Sequence, residues 1–195
     1  MAARTQSRKT ARKAPRAAKK ATARRGTKTR KTRNGSSANG TPKLNGKASA
    51  LQHIGLMMLA GRKDKALLAR VADLLQQVCK YRWVGIYTVA HRNFVLAGSS
   101  NNNKPAYREF PVCQGISGEV YESRKTIIVR DVSKDKRFLP NFWTTKSEII
   151  VPIIDDEHNE VTGVLNVESS RLNAFDKSDR DLLEGVGRLI WRALR

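Results

Sequence analysis

The sequence predicts an α/β (α+β) fold, a six-stranded antiparallel sheet with helices packed on it, preceded by a disordered basic tail. Three observations predict it. The chain has no Asp or Glu before Asp64, so its charge is segregated. From residue 48 onward, apolar residues recur at helical spacing, then with strand character, then at helical spacing again. The strands fall into short hairpins, which pair antiparallel and leave the helices to cover the sheet.

Residues 1–47 form the tail. They hold 16 of the 38 Lys and Arg residues, whereas 48–195 hold 22 basic and 17 acidic residues. Most of the net charge of +21 therefore belongs to the tail. From Met1 to Pro42 there is no Leu, Ile, Val, Phe, Tyr or Trp. Ordering a residue costs roughly 1–2 kcal/mol of backbone entropy, and a segment with nothing to bury cannot offset it. The stretch NGSSANGTPKLNGK (34–47) adds the composition of a flexible linker. Residues 48–195 suffice for one core and not for two.

The elements run in order. Residues 48–61 and 64–80 are helical in spacing, and Leu67, Leu68, Val71, Leu74, Leu75 and Val78 make one broad face of the second. RWVGIYTVA (82–90) and NFVLAGSS (93–100) are β-branched and aromatic, and His91-Arg92 joins them as a hairpin. After a polar loop, YREFPV (107–112) is a third strand. QGISGEVYESRK (114–125) is a glycine-flanked turn opening a short helix, and TIIVRDV (126–132) a fourth strand. Residues 133–146 are an irregular or short helical crossover. SEIIVPII (147–154) and EVTGVLNVESS (160–170) form a second hairpin through DDEHN. Asp176 caps a last helix with Leu182, Leu183, Val186, Leu189 and Ile190 inward.

Several classes are excluded. Two cysteines, Cys79 and Cys113, make no disulfide framework, suit a reducing compartment, and leave Cys79 to the core. No apolar run approaches a membrane span, and the N-terminus lacks a secretory apolar stretch. A mitochondrial transit peptide shares the tail's composition but needs an apolar helix face, for which the tail offers only Ala. His53, His91 and His158 are scattered without ligand spacing, so neither a metal site nor a cofactor is expected. No P-loop or Rossmann glycine pattern occurs. The expected location is cytoplasmic, with nucleoid association.

A flexible polycation binds phosphate polymers by releasing their counterions. The expected contacts are Arg4, Arg8, Lys9, Arg12, Lys13, Arg16, Lys19, Lys20, Arg24, Arg25, Lys28, Arg30, Lys31 and Arg33. With no aromatic among them, they touch phosphates and do not read bases. DNA and RNA satisfy them equally. The string TARKAPRAAKKATARR resembles histone tails, which implies this mode of binding.

WVGIY, FPVCQGISGEVYESRKTIIVRDV, SEIIVPI and GVLNVESSRLNAFDKSDRDLLE, in that order, resemble a GAF domain over roughly 50–195. Within that family the likeness is to the free methionine-(R)-sulfoxide reductases. The resemblance implies a ligand pocket walled by Trp83 and Tyr87, with Glu148 as a pocket carboxylate. Asn166 and Glu168 stand where the family grips a substrate ammonium with two aspartates. It also implies a nucleophilic cysteine where this chain has Ser117, and further cysteines near Tyr107 and Asn141. Cys113 lies in the same turn, four residues before Ser117, without an evident resolving partner.

Read without the resemblance, Trp83 and Tyr87 are equally core residues, and Glu148, Asn166 and Glu168 equally pair with surface arginines such as Arg171. Glu168 alone reads as solvated surface. The expected function is a non-enzymatic small-molecule sensor or interaction module, tethered to nucleic acid by its tail. Its ligand is a small amine or amino-acid-like molecule. The alternatives are a diverged reductase using Cys113, and a nucleoid-type DNA-binding protein whose GAF domain only dimerises. The first and last helices (48–61 and 178–195) resemble those through which GAF domains pair, which implies a homodimer.

Overall fold

Alternation of side chains along the strands gives the central sheet two dry faces, and the chain supplies a separate cover for each. The computed structural model describes residues 46–60, 65–102 and 104–195. The tail read at 1–47 lies outside the described residues but for Gly46 and Lys47, and with it the fourteen expected phosphate contacts from Arg4 to Arg33.

Helices α1 (Lys47–Ala60) and α2 (Lys65–Cys79) precede β1 (Trp83–Ala90), β2 (Asn93–Ser99) and the short β3 (Glu109–Pro111). Helix α3 (Gly115–Ser123) leads to β4 (Ile127–Val129), then come β5 (Ser147–Asp155), β6 (Glu160–Ser169) and α4 (Lys177–Ile190). The six strands run in the order β3-β2-β1-β6-β5-β4, with every neighbouring pair antiparallel. This is the predicted α/β sheet, and the element order is the predicted one. The strands at 107–112 and 126–132 are shorter than their sequence patterns, three residues each. Both lie at the sheet's edges, where one partner alone sustains the ladder.

On one face Val84, Ile86, Ile149, Val151, Ile153, Leu165 and Val167 pack with α1, α2 and α4. On the other, Trp83, Tyr87, Ile150 and Val164 pack with α3 and with Phe138, Leu139 and Phe142 of the crossover. The period of two sorts residues between the faces, so a shift of one residue would exchange them. Leu74 and Leu189, read as inward, are only partly covered. Cys79 is half-buried against the first cluster, and burial pushes its thiol pKa up.

The start of α4 is tied to two other elements. Asp176 accepts from the Asp179 amide at 3.0 Å, and Asp179 accepts from the Asp176 amide at 3.0 Å, a reciprocal cap. The buried Asp179 carboxylate also takes the Tyr81 hydroxyl at 2.6 Å and the Lys47 ammonium at 2.7 Å. One side chain thus joins α1, α4 and the entry to β1. Helix α2 approaches β2 at Gly98, where a Cβ would stand 2.7 Å from the Ala69 amide nitrogen and from the Leu68 carbonyl carbon. Backbone on backbone cannot yield locally. Gly98→Ala should therefore destabilise the domain by about 1–3 kcal/mol in chemical denaturation, the range typical of overpacking; an unchanged midpoint would show that α2 can slide.

Candidate functional site

The site begins with Trp83, Gly85 and Tyr87, which point to one face of β1. The Trp83 indole lies over Gly85 so closely that a Cβ there would sit 2.1 Å from the ring's Cη2 atom. The small residue between the two aromatics is what lets the indole lie down. The ring meets Tyr87 edge-on at 6.5 Å and Phe142 at 5.4 Å. Both Trp83 and Tyr87 are fully buried, and the Tyr87 hydroxyl donates to the Tyr107 carbonyl at 2.8 Å.

Register places the polar residues. Glu168 on β6 lies between Trp83 on β1 and Glu148 on β5, and Asn166 lies opposite Gly85. Glu148 and Glu168 are a direct cross-strand pair of like charge, an unfavourable arrangement when both are ionised. Exposure is 3% for Glu148 and 0% for Glu168. The reading of Glu168 as solvated surface is therefore corrected. It holds for a lone acid on a half-exposed strand, but here the crossover covers that end of β6. Arg171 ion-pairs with none of the three polar residues among the described residues; its carbonyl instead accepts from Ser147 at 2.7 Å.

Each carboxyl has a different set of donors. Asn166 Nδ2 donates to Glu148 Oε1 at 2.8 Å. Asn141 Nδ2 donates to Glu168 Oε1 at 3.0 Å, and the Thr145 hydroxyl donates to Glu168 Oε2. Burial pushes the Glu148 pKa well above the usual carboxylate range, and the neighbouring Glu168 charge adds to it. Burial raises Glu168 too, against the pull of Thr145 and Asn141. Glu148, with one hydrogen bond, is the better holder of a proton. Burial and these two carboxylates also hold the Tyr87 phenol in its neutral form.

Beside this pair lies a cavity of about 10 Å³, lined by Tyr107, Ile116, Ser117, Asn141, Glu148 and Asn166, among others. Glu148 and Asn166 are the two predicted site residues that reach it. Trp83, Tyr87 and Glu168 are buried next to it within the same hydrogen-bonded and aromatic cluster. Among the described residues, the buried Trp83 Nε1 and Asn166 Oδ1 have no hydrogen-bond partner. The positions that the resemblance assigns to cysteines, Ser117, Tyr107 and Asn141, all line the cavity. Asn141 Oδ1 also accepts from the Tyr107 amide at 3.2 Å. Cys113 is exposed and forms no disulfide, and its main chain packs against Gly118 at the opening of α3.

Sequence spacing missed two groups. Asn141 and Thr145 fall in a stretch without periodicity, and nothing local marks them as partners of Glu168. Asp155, Glu157 and His158 bring one ligand-type atom each within 4.8 Å of one another, although histidine spacing alone shows no such cluster. The counter-charge is already present there. Arg195 pairs with Asp155 and with Glu157 at 3.0 Å, and Arg192 with Glu157 at 3.1 Å. Among the described residues no helix is long and apolar enough to cross a membrane.

An antiparallel six-stranded sheet in this strand order, with α1, α2 and α4 on one face and α3, the crossover and a small polar cavity on the other, defines the class: an α/β domain of one curled sheet. The chain belongs to the GAF domain family, whose profile matches residues 65–194. It is 30% identical over 134 residues to GAF domain-containing protein A of Dictyostelium discoideum, covering 68% of this chain and 83% of that one. It is 31% identical over 109 residues to the free methionine-R-sulfoxide reductase of Saccharomyces cerevisiae, covering 55% of this chain and 60% of the enzyme. Among solved structures, the reduced Staphylococcus aureus reductase superposes with a TM-score of 0.68 at 25% identity, covering 80% of this chain and all of that one. The substrate complex of the Neisseria meningitidis reductase superposes at 0.69 with 24% identity, covering 80% and 92%, a likeness of fold.

The raised carboxyls set a direction for pH. A carboxyl whose folded pKa exceeds its unfolded value stabilises the fold at low pH, and stability falls as pH rises from about 4.5 through the folded value. Glu148→Gln keeps the Asn166 hydrogen bond and removes the buried charge. It should raise the melting temperature at neutral pH by a few degrees and flatten its fall above pH ~4.5. A lower melting temperature in E148Q at neutral pH would contradict the buried-charge reading.

Proposed function

We propose that the chain is a non-enzymatic, ligand-binding GAF module for a small amine or amino-acid-like molecule, held near nucleic acid by its tail. The observation that carries the ligand class is the buried Glu148–Glu168 pair, which has no ion pair among the described residues. An ammonium group seated against it adds to the positive field of Arg82, which already favours the Glu168 carboxylate. The unpartnered Trp83 Nε1 and Asn166 Oδ1 offer a donor for a carboxylate and an acceptor for an amine. Satisfying such buried groups recovers roughly 1–3 kcal/mol each.

A cavity of about 10 Å³ has room for one water at most. An amino acid needs more room, and the crossover bounds the cavity through Leu139 and Asn141, with Phe142 on Trp83 and Thr145 on Glu168 beside them. Ligand entry therefore has to lift Asn141 and Thr145 from Glu168. Displacement of that segment is the change a sensor would pass on.

Ser117 is the reason for a non-enzymatic reading. Reduction of a sulfoxide by this family's route requires a thiolate nucleophile and a second thiol to resolve it. A serine hydroxyl offers neither. An amine or amino acid that binds should raise the melting temperature in a dose-dependent way and lose that effect in Glu148→Gln. No shift across amines and amino acids would favour a domain that serves only to dimerise. Turnover of free methionine-R-sulfoxide with a thiol reductant, abolished by Cys113→Ser, would instead establish a diverged reductase.

The tail supplies the second half of the reading, on its charge and its lack of aromatic residues. A peptide of 1–47 should retard duplex DNA at low salt and release it at high salt, while 48–195 does not; equal retardation by the domain would overturn the tether. The proposed assembly is a homodimer through α1 and α4, since Leu56 and Leu59 of α1 stand 58% and 86% exposed. Sedimentation of the full chain at twice its 21.8 kDa mass is the expected result, and monomer mass the contrary one.

A further inference from the structure

The crossover has an outer side as well as the inner one that roofs the cavity. Trp143 stands on it with 93% of its surface exposed, flanked by Phe142, which is packed on Trp83, and Thr144. An indole left in water contributes nothing to the core and adds an apolar surface that folding would otherwise hide. The other two tryptophans, Trp83 and Trp191, are buried.

The neighbourhood of Trp143 is basic. Arg82 donates from Nε to the Thr144 hydroxyl at 2.8 Å and stacks its guanidinium over Phe142 at 4.5 Å, so it brackets Trp143 from both sides in sequence. The Lys146 amide donates to the Ser169 carbonyl at 2.8 Å, and the Arg171 amide to the Ser169 hydroxyl at 3.2 Å. The Lys146 carbonyl takes the Val132 amide at 3.0 Å, and the Arg130 carbonyl takes the Asn173 amide at 2.8 Å. These bonds gather Arg82, Arg130, Lys146 and Arg171 at the sheet end where β1 and β5 begin and β4 and β6 finish. None of the four forms an ion pair among the described residues. The nearby Asp131 is engaged by Lys134 at 3.3 Å.

We propose that this end of the domain is a binding face for unpaired, single-stranded nucleic acid, with a base stacked on Trp143 and phosphates on Arg82, Arg130, Lys146 and Arg171. Charge complementarity selects a polyanion, and the outward indole selects one with accessible π-faces. A duplex hides those faces inside its stack, so it gains only the phosphate contacts. The tail has cations and no aromatic residue, so this face would supply the stacking that the tail lacks. The inference stands on the domain alone and does not need the tail to bind.

The test uses the full chain and its Trp143→Ala variant, with a labelled oligothymidylate and a labelled duplex of equal length at physiological salt. The variant should weaken oligothymidylate binding about 5- to 150-fold, the worth of one stacked base, and leave duplex binding unchanged. Saturating oligothymidylate should quench the wild-type tryptophan emission, because Trp143 alone of the three is exposed. Lys146→Glu with Arg171→Glu should also weaken oligothymidylate binding, through lost phosphate contacts, and leave the duplex binding of the tail in place. Equal oligothymidylate affinity in wild type and Trp143→Ala overturns the proposal, as does an equal loss for duplex and single strand in that variant. Competition by polyglutamate as strong as by oligothymidylate, without quenching, would assign the face to an acidic protein. Failure of the tail peptide to retard duplex is a separate result and leaves this one standing.

Discussion

Two carboxyl groups buried opposite one another across β5 and β6 are the constraint around which this domain is arranged. Glu148 and Glu168 cannot both ionise there without help, and the surrounding groups are disposed to provide it. Asn166 serves Glu148, and Asn141 and Thr145 come from the crossover to serve Glu168. The crossover is therefore held by polar bonds to the sheet as well as by Phe142 on Trp83. Burying charge in this way is costly to a fold, and such a cost persists where a site has use for it.

The rest of the architecture isolates that cost. The face of the sheet toward α1, α2 and α4 is almost wholly apolar and carries the larger core. The polar pair sits on the other face, where α3 and the crossover cover less of the sheet. A layer of three helices thus backs a site covered by an irregular segment. The same segment turns Asn141 and Thr145 inward and Trp143 outward, so events at the cavity and at the surface share one piece of chain.

Much of the fold was legible in the residues themselves. The β-branched and aromatic runs WVGIYTVA, SEIIVPII and EVTGVLNVESS, and the wide apolar face of α2, predicted strands and helices in their observed order. Asp176 marked its helix start through the chemistry of a cap, which is local. The edge strands β3 and β4 are shorter than their sequence patterns, because each pairs with its single neighbour over three residues only. Glu168 shows the limit most clearly. As one acid on a strand it reads as exposed, and only a segment some twenty residues earlier makes it buried.

By itself the sequence determined the class of fold and the division of charge between tail and domain. Both depend on residue identity or on spacing within a few residues, which periodicity and composition register directly. Only the tertiary structure decided that Glu148 and Glu168 are neighbours, that Ser117, Tyr107 and Asn141 meet at one cavity, and that Trp143 faces solvent among cations. Those facts are set by strand register and by the path of an aperiodic crossover. Both are fixed by contacts between residues far apart in the chain, and no local pattern records them.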